Sequence, residues 1–257
     1  DESLADSTRI QQIFQWLKLP EDKRPHFITL YFSSPDHEGH LYGPSSDETK
    51  AAVLNADRNL GLILKGTREI NLPINIVIVS DHGMEEIKEV PETYIFINEL
   101  LNRNDAAIKV VNSGTHAHIY VENSRQQDSI YTAIKKNQKN YLIFRQWDFP
   151  KHWHYNTSRA GDLIITANPG HYLVDGDRQK YFKKLRTGTS VGTHGYDPAV
   201  VTNMRGIFYA VGPTIRAGKK IAPFSNIHIY PLIARILGLH APPVDGDIKV
   251  LEEILVR

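Results

Sequence analysis

The 257-residue sequence contains no cysteine, which excludes disulfide frameworks, thiolate metal sites and cysteine nucleophiles and leaves the redox compartment open. A zinc site, if there is one, must be built from His and Asp or Glu. An excess of charge of one sign is also missing. Thirty Lys and Arg face 29 Asp and Glu with no dense basic run, so the electrostatic footprint of a nucleic-acid surface is absent and polymeric nucleic acid is disfavoured as a partner. No apolar stretch approaches the roughly 18 residues that suggest a membrane span. No apolar targeting segment stands at the start, but the chain opens on Asp1 and not Met, so its start says little about processing. No internal repeat or low-complexity segment is present, and the length suits one large α/β domain or a core with a smaller insertion.

Apolar periodicity then organises the chain. Ile10, Ile13, Phe14 and Leu17 recur at helical spacing over 6–18, and Pro20 closes that segment. Residues 26–32 form a short apolar run rich in β-formers, expected as a strand buried on both faces of a parallel sheet. Ser45 and Glu48 offer a capping box for a helix that carries Val53, Ala56, Leu60 and Ile63 to about Lys65, where Gly66 is expected to stop it. A second buried strand follows at 74–80, and strand, helix, strand in this order implies a right-handed βαβ crossover. From about Asp105 the pattern changes to short strands at 108–111, 117–121, 141–147 and 162–167 with one helix at 124–138. This reads as a small α+β subdomain, with Tyr141, Phe144 and Trp147 assigned to its core rather than to a base-stacking platform. A core strand returns at 206–212. A last helix carries Leu232, Ile233, Ile236 and Leu237, with Pro231 in its first turn and Gly238 at its end. The expected organisation is a catalytic core at 1–104, an inserted subdomain at 105–170 and the rest of the core at 171–257.

Three polar motifs interrupt this pattern. Asp36 and His40 lie in a stretch expected to turn tightly, with Gly39, Gly43, Pro35 and Pro44; Asp81 and His82 end the second strand; His194 sits in the glycine-rich run 188–195. Singly, each has a plain reading, an Asp capping a turn or a His bonded to backbone. Jointly, the motifs follow two successive strands and a flexible loop, at the sheet edge where open α/β folds gather ligands. Asp36, His40, Asp81, His82 and His194 are thus candidate metal ligands. Carboxylate oxygen and imidazole nitrogen suit Zn²⁺, with Mn²⁺ or Fe possible on the same set. In a two-metal site, Asp81 and His82 can serve one ion and Asp36, His40 and His194 the other. His116, His118, His152, His154, His171, His228 and His240 read as packed or solvent-facing, and His26 and His37 receive no role.

Pro35-Asp36-x-x-Gly39-His40-x-x-Gly43-Pro44, Ser80-Asp81-His82-Gly83-Met84 and Thr193-His194-Gly195-Tyr196 resemble the downstream metal motifs of the nucleotide pyrophosphatase/phosphodiesterase family, within the alkaline phosphatase superfamily. Met204-Arg205-Gly206-Ile207-Phe208, Gly212-Pro213, Pro223-Phe224 and Ile236-Leu237-Gly238-Leu239 extend the resemblance to the end of the chain. It implies an alkaline-phosphatase-like α/β fold, a mixed and mostly parallel sheet flanked by helices with a small inserted α+β subdomain. It also implies two Zn²⁺, one on Asp36, His40 and His194 and one on Asp81 and His82. The family completes the second site with an upstream Asp and a Thr, Ser in some relatives, that is also the nucleophile. Here Thr8 falls at a helix start and Thr29 within a strand, and two ligands are too few for a second catalytic zinc. The chain is therefore expected to be the C-terminal part of a longer protein, with the N-terminal part of the fold and the nucleophile upstream, and to be inactive by itself.

The implied chemistry is two-metal phosphoryl transfer. The Thr hydroxyl attacks phosphorus in line to give a covalent phospho-enzyme, which water then hydrolyses. Small phosphodiesters, pyrophosphates or nucleotides are the implied substrates, in a periplasmic or extracellular setting. A phosphonoacetate-hydrolase-like or phosphomonoester-cleaving enzyme shares these metal ligands, and a non-catalytic metal-binding domain is the alternative from another class.

Overall fold

The computed structural model describes residues 4–103, 105–183 and 188–256. Asn104, the last residue of the expected first core part, lies outside them. The chain divides into two compact units, one formed by the residues up to Pro35, Ala52–Asp81 and the residues from Gly206 on, the other by Asp36–Ala51 and His82–Arg205.

In the first unit the helix Asp6–Leu17 buries Ile10 and Leu17, and the Asn59 amide donates to Asp6 Oδ2 at 2.6 Å. The expected Ser45/Glu48 capping box and Gly66 stop are both corrected here. The long helix runs Asp47–Glu69, and the Ser46 hydroxyl accepts the Thr49 amide at 3.1 Å, the bond that caps a helix start. Gly66 lies inside that helix because a side chain there would collide with the Phe14 ring. Strands Ile76–Val79 and Phe208–Val211 pair antiparallel, Ile76 opposite Val211. The helix Ile229–Ile236 buries Leu232 completely against Ile215, Leu251 and Ile254.

The segment 26–32, expected as a parallel partner of 74–80, joins no ladder among the described residues. Ile28, Leu30 and Phe32 are half-buried while Phe27, Thr29 and Tyr31 are exposed. One face alone is sheltered, and without a hydrogen-bonded neighbour an apolar run is not a strand of a sheet. The parallel crossover is thus not formed, and Ile76–Val79 takes its antiparallel partner from the other end of the chain.

The second unit is built on a four-stranded antiparallel sheet in the order Ile108–Asn112, His116–Val121, Leu163–Ala167, Tyr141–Arg145. The helix Ser124–Lys136, opened by the Asn123 side chain accepting the Arg125 amide, turns Ile134 onto that sheet. Alternate residues of the strands, Ala117, Ile119, Ile143, Leu163 and Ile165, make a nearly solvent-free core. Trp147, expected in this core, is 74% exposed. The strand ends at Arg145 and a 3₁₀ turn follows at Gln146–Asp148, so the alternation that buries Tyr141 and Ile143 no longer applies. Two shorter pairings complete the unit: Tyr94–Phe96 runs parallel to Tyr172–Val174, and Glu85–Lys88 antiparallel to Ser190–Thr193. The last of these positions the candidate ligands.

Candidate metal centre

The stretch expected as a tight turn is a short helix, Asp36–Tyr42. Residues four apart share a helix face, so Asp36 and His40 stand one above the other. Gly43, at φ 85°, ends the helix. Its carbonyl accepts the Ser46 and Thr49 hydroxyls at 2.9 and 2.8 Å, which ties the short helix to the start of the next.

His82 and His194 meet because of strand register. Glu85 lies opposite Thr193 in an antiparallel pair, so the chain just before Glu85 and the chain just after Thr193 emerge at the same end. The two imidazoles stack, centroids 3.6 Å apart and planes at 18°. Gly195 turns the chain away at φ 102°, where a side chain would strike the Thr115 hydroxyl. That hydroxyl, almost fully buried, donates to the His194 carbonyl at 3.1 Å.

The Nδ1 atoms of two of these rings are already engaged. His40 Nδ1 is 2.9 Å from the Gly192 carbonyl and His82 Nδ1 is 2.9 Å from the Gly83 carbonyl. A carbonyl oxygen only accepts, so Nδ1 carries the hydrogen in both rings and the neutral ring has its lone pair on Nε2. This is the arrangement in which backbone groups orient metal-binding histidines.

Asp36 Oδ1 is the common point of the cluster. His40 Nε2 lies 3.5 Å from it and His194 Nε2 3.8 Å. Asp36, His82 and His194 each offer a ligand atom, all within 4.8 Å of one another. The nitrogen-to-oxygen distances are too long for hydrogen bonds. Donors about 2.0–2.1 Å from one ion in a tetrahedral arrangement lie roughly 3.3 Å apart, so the spacing fits ligands around a cation. Asp36 Oδ1 is shielded from solvent and has no hydrogen-bond partner, although the side chain as a whole is 43% exposed. A shielded carboxylate oxygen without a donor is costly, and a cation satisfies it. The donor set, oxygen and imidazole nitrogen without thiolate, suits zinc, manganese or iron. The residues present therefore fit a metal.

The structure gathers Asp36, His40, His82 and His194 within one compact unit. Asp81 follows the strand Ile76–Val79 as the last residue of the other unit. Of the remaining histidines, His116 and His118 pack edge to face with centroids 5.3 Å apart. His118 Nδ1 donates to the Ala160 carbonyl at 2.7 Å. Burial, and then His118, lower the His116 pKa. His152 and the Trp153 indole both contact Asp197 Oδ2, at 2.7 and 2.9 Å. Burial alone would raise the Asp197 pKa, but the Trp153 N–H, the Ala199 amide and His152 hold it below the ordinary value. Sequence reasoning missed Thr115, which holds the His194 backbone, and the clasp of His152 and Trp153 on Asp197. A Ser-Asp-His-Gly-Met run signals a ligand pair, whereas Thr115 is brought to His194 only by the folded sheet.

Residues 1–197 match the model of the type I phosphodiesterase / nucleotide pyrophosphatase family. Among curated proteins, the chain is 31% identical over 261 residues to the venom phosphodiesterase CdcPDE of Crotalus durissus collilineatus, covering 99% of this chain and 30% of that protein. It is 30% identical over 233 residues to ectonucleotide pyrophosphatase/phosphodiesterase family member 7 of Rattus norvegicus, covering 89% and 51%. The chain thus spans about a third to a half of the length of these relatives. Among solved structures, human ectonucleotide pyrophosphatase/phosphodiesterase 5 superposes with a TM-score of 0.86 at 26% identity, over 99% of this chain and 65% of that one. The murine protein, in a complex with AMP, gives the same TM-score at 24% identity. The fold is accordingly the alkaline-phosphatase-like α/β architecture of those structures.

Proposed function

This chain belongs to the type I phosphodiesterase / nucleotide pyrophosphatase family, and from that premise we propose that Asp36, His40, His82 and His194 hold zinc in a protein that hydrolyses phosphodiester or pyrophosphate bonds of small nucleotides. The observation that carries this reading is the shielded, unbonded Asp36 Oδ1 with two imidazole nitrogens at 3.5 and 3.8 Å. Asp81, adjacent to His82 in the chain, is proposed as a ligand from the sequence pattern alone, with His82 at a second ion. Bound zinc supplies Lewis-acid polarisation of phosphoryl oxygens and lowers the pKa of a coordinated hydroxyl or water. The chain's own residues prepare the site for it. His40 is held on the Gly192 carbonyl and His82 on the Gly83 carbonyl, Thr115 holds the His194 backbone, and Asp36 supplies the negative charge that offsets a cation.

The attacking hydroxyl is assigned to no residue of this chain, so we infer that the chain by itself turns over no phosphoester. The AMP held by the murine relative supports a nucleotide substrate, and relatives named for venom and as ectoenzymes support an extracellular or periplasmic setting. No helix among the described residues is long and apolar enough to cross a membrane. The test compares bis-p-nitrophenyl phosphate with p-nitrophenyl phosphate on the whole protein that contains this chain, alongside elemental analysis. Faster diester turnover, lost on chelation and restored by zinc, is the expected outcome. Faster monoester turnover would instead favour the phosphomonoesterase branch, and a zinc-free, fully active protein would remove the metal reading.

A further inference from the structure

We infer that Met84 is a positioning residue of the metal centre: its thioether, seated between Gly39 and Gly192, sets how closely the helix carrying Asp36 and His40 approaches the strand that ends just before His194. The inference rests on the metal reading given above. A Cβ built on Gly39 would overlap the Met84 sulfur, and one built on Gly192 would overlap both that sulfur and the Gly39 carbonyl oxygen. Three backbone segments meet here: at Gly192 a side chain would strike the Gly39 carbonyl itself, whereas at Gly39 it is the methionine side chain that fills the space.

Each corner is coupled to a ligand through very few bonds. Gly39 stands beside His40, Met84 two residues beyond His82, and Gly192 two residues before His194. The Gly192 carbonyl is also the group that accepts the His40 Nδ1 hydrogen at 2.9 Å. A shift of Gly192 moves the anchor of one ligand and the backbone of another together. Methionine suits this position because an unbranched, polarisable side chain fills an irregular gap between backbones without demanding one shape. Shortened to a methyl group, it leaves a void into which the helix and the strand relax, changing ligand spacing with no ligand removed. Leucine, close in volume, keeps the spacing.

The chain has only two methionines, Met84 and Met204, and Met204 is buried in the core of the four-stranded sheet. Labelling methionine methyl groups with ¹³C thus yields one resonance at the site and one internal reference. Zinc added to the metal-free wild-type chain is expected to shift the Met84 methyl signal more than that of Met204. Met84→Ala is expected to weaken zinc about 10- to 100-fold in a chelator competition, the range seen when groups that orient metal ligands are removed. Met84→Leu is expected to recover most of that affinity, and metal-free thermal unfolding of both variants reports packing separately. If Met84→Ala does not fold, the wild-type methyl titration and Met84→Leu decide. Wild-type affinity in Met84→Ala, or a Met84 methyl unmoved by zinc, overturns the positioning role alone. A wild-type chain that binds no zinc overturns the metal reading, and this inference with it.

Discussion

The four-stranded sheet and the metal-ligand cluster belong to the same compact unit, yet they are held by different forces. In the sheet, Ile119 and Ile165 expose no surface and Ile143 only 2%, and burial of such side chains contributes about 1.5–3 kcal/mol each. In the cluster, the side chains of Asp36, His40 and His194 are 43%, 40% and 33% exposed, with hydrogen bonds to the His40 ring and to the His194 backbone and the proposed thioether contact among the groups that position them. Asp36 Oδ1 is left without a donor, an arrangement that opposes folding by about 1–3 kcal/mol. The sheet needs no ligand to explain it. The cluster fits a cation, so on the proposed metal reading loss of a residue should register as stability in one region and as metal affinity in the other.

That contrast can be broken in four places. Ile165→Ala should cost the largest amount, about 2–5 kcal/mol of unfolding free energy, while leaving zinc affinity in the folded fraction unchanged; denaturant titration with and without zinc checks both halves. His194→Ala should weaken zinc by about two orders of magnitude, roughly 2.7 kcal/mol, and leave metal-free stability within about 0.5 kcal/mol. Unchanged zinc stoichiometry by elemental analysis would count against His194 as a ligand. Thr115→Val, which removes the hydroxyl held on the His194 carbonyl, belongs to both regions. It should lower metal-free stability by about 1 kcal/mol and zinc affinity by about tenfold, and an effect on only one readout would assign Thr115 to that region alone.

The smallest effect is expected at Asp197. Its carboxyl titrates below the ordinary value near 3.8, so the stability it contributes is present above that value and is lost as pH falls through its lowered pKa. Asp197→Asn should therefore melt below the wild type at pH 7 and converge with it as pH falls below the ordinary carboxylate value. A constant gap across that range would show that packing, not charge, holds the clasp of His152 and Trp153.

How much was legible in advance follows the same division. The strands and helix between 108 and 167 were readable because alternation and helical spacing coincide with their burial, as at Ile119, Ile134 and Ile165. That Asp36, His40, His82 and His194 belong together was readable because motif spacing survives whatever the backbone does. What failed depended on partners distant in the sequence. The run at 26–32 is apolar enough for a strand but has no ladder, Gly66 packs against Phe14 instead of ending its helix, and Trp147 leaves the sheet one turn too late to be buried. Met84 lies within a motif, but its contacts with Gly39 and Gly192 join segments distant in the chain, the second more than a hundred residues away.

The sequence by itself determined the chemistry available: without cysteine, and with Asp36, His40, Asp81, His82 and His194 in spaced motifs, metal ligation by oxygen and imidazole was the sharpest reading, and the family followed from it. Only the tertiary structure decided how those side chains are grouped. The antiparallel register of Glu85 with Thr193 brings His82 to His194, and the close contact of Gly39 with Gly192 brings Asp36 and His40 to both. Ligand type is a property of each residue, whereas ligand spacing is set by backbone contacts between segments that local sequence does not encode.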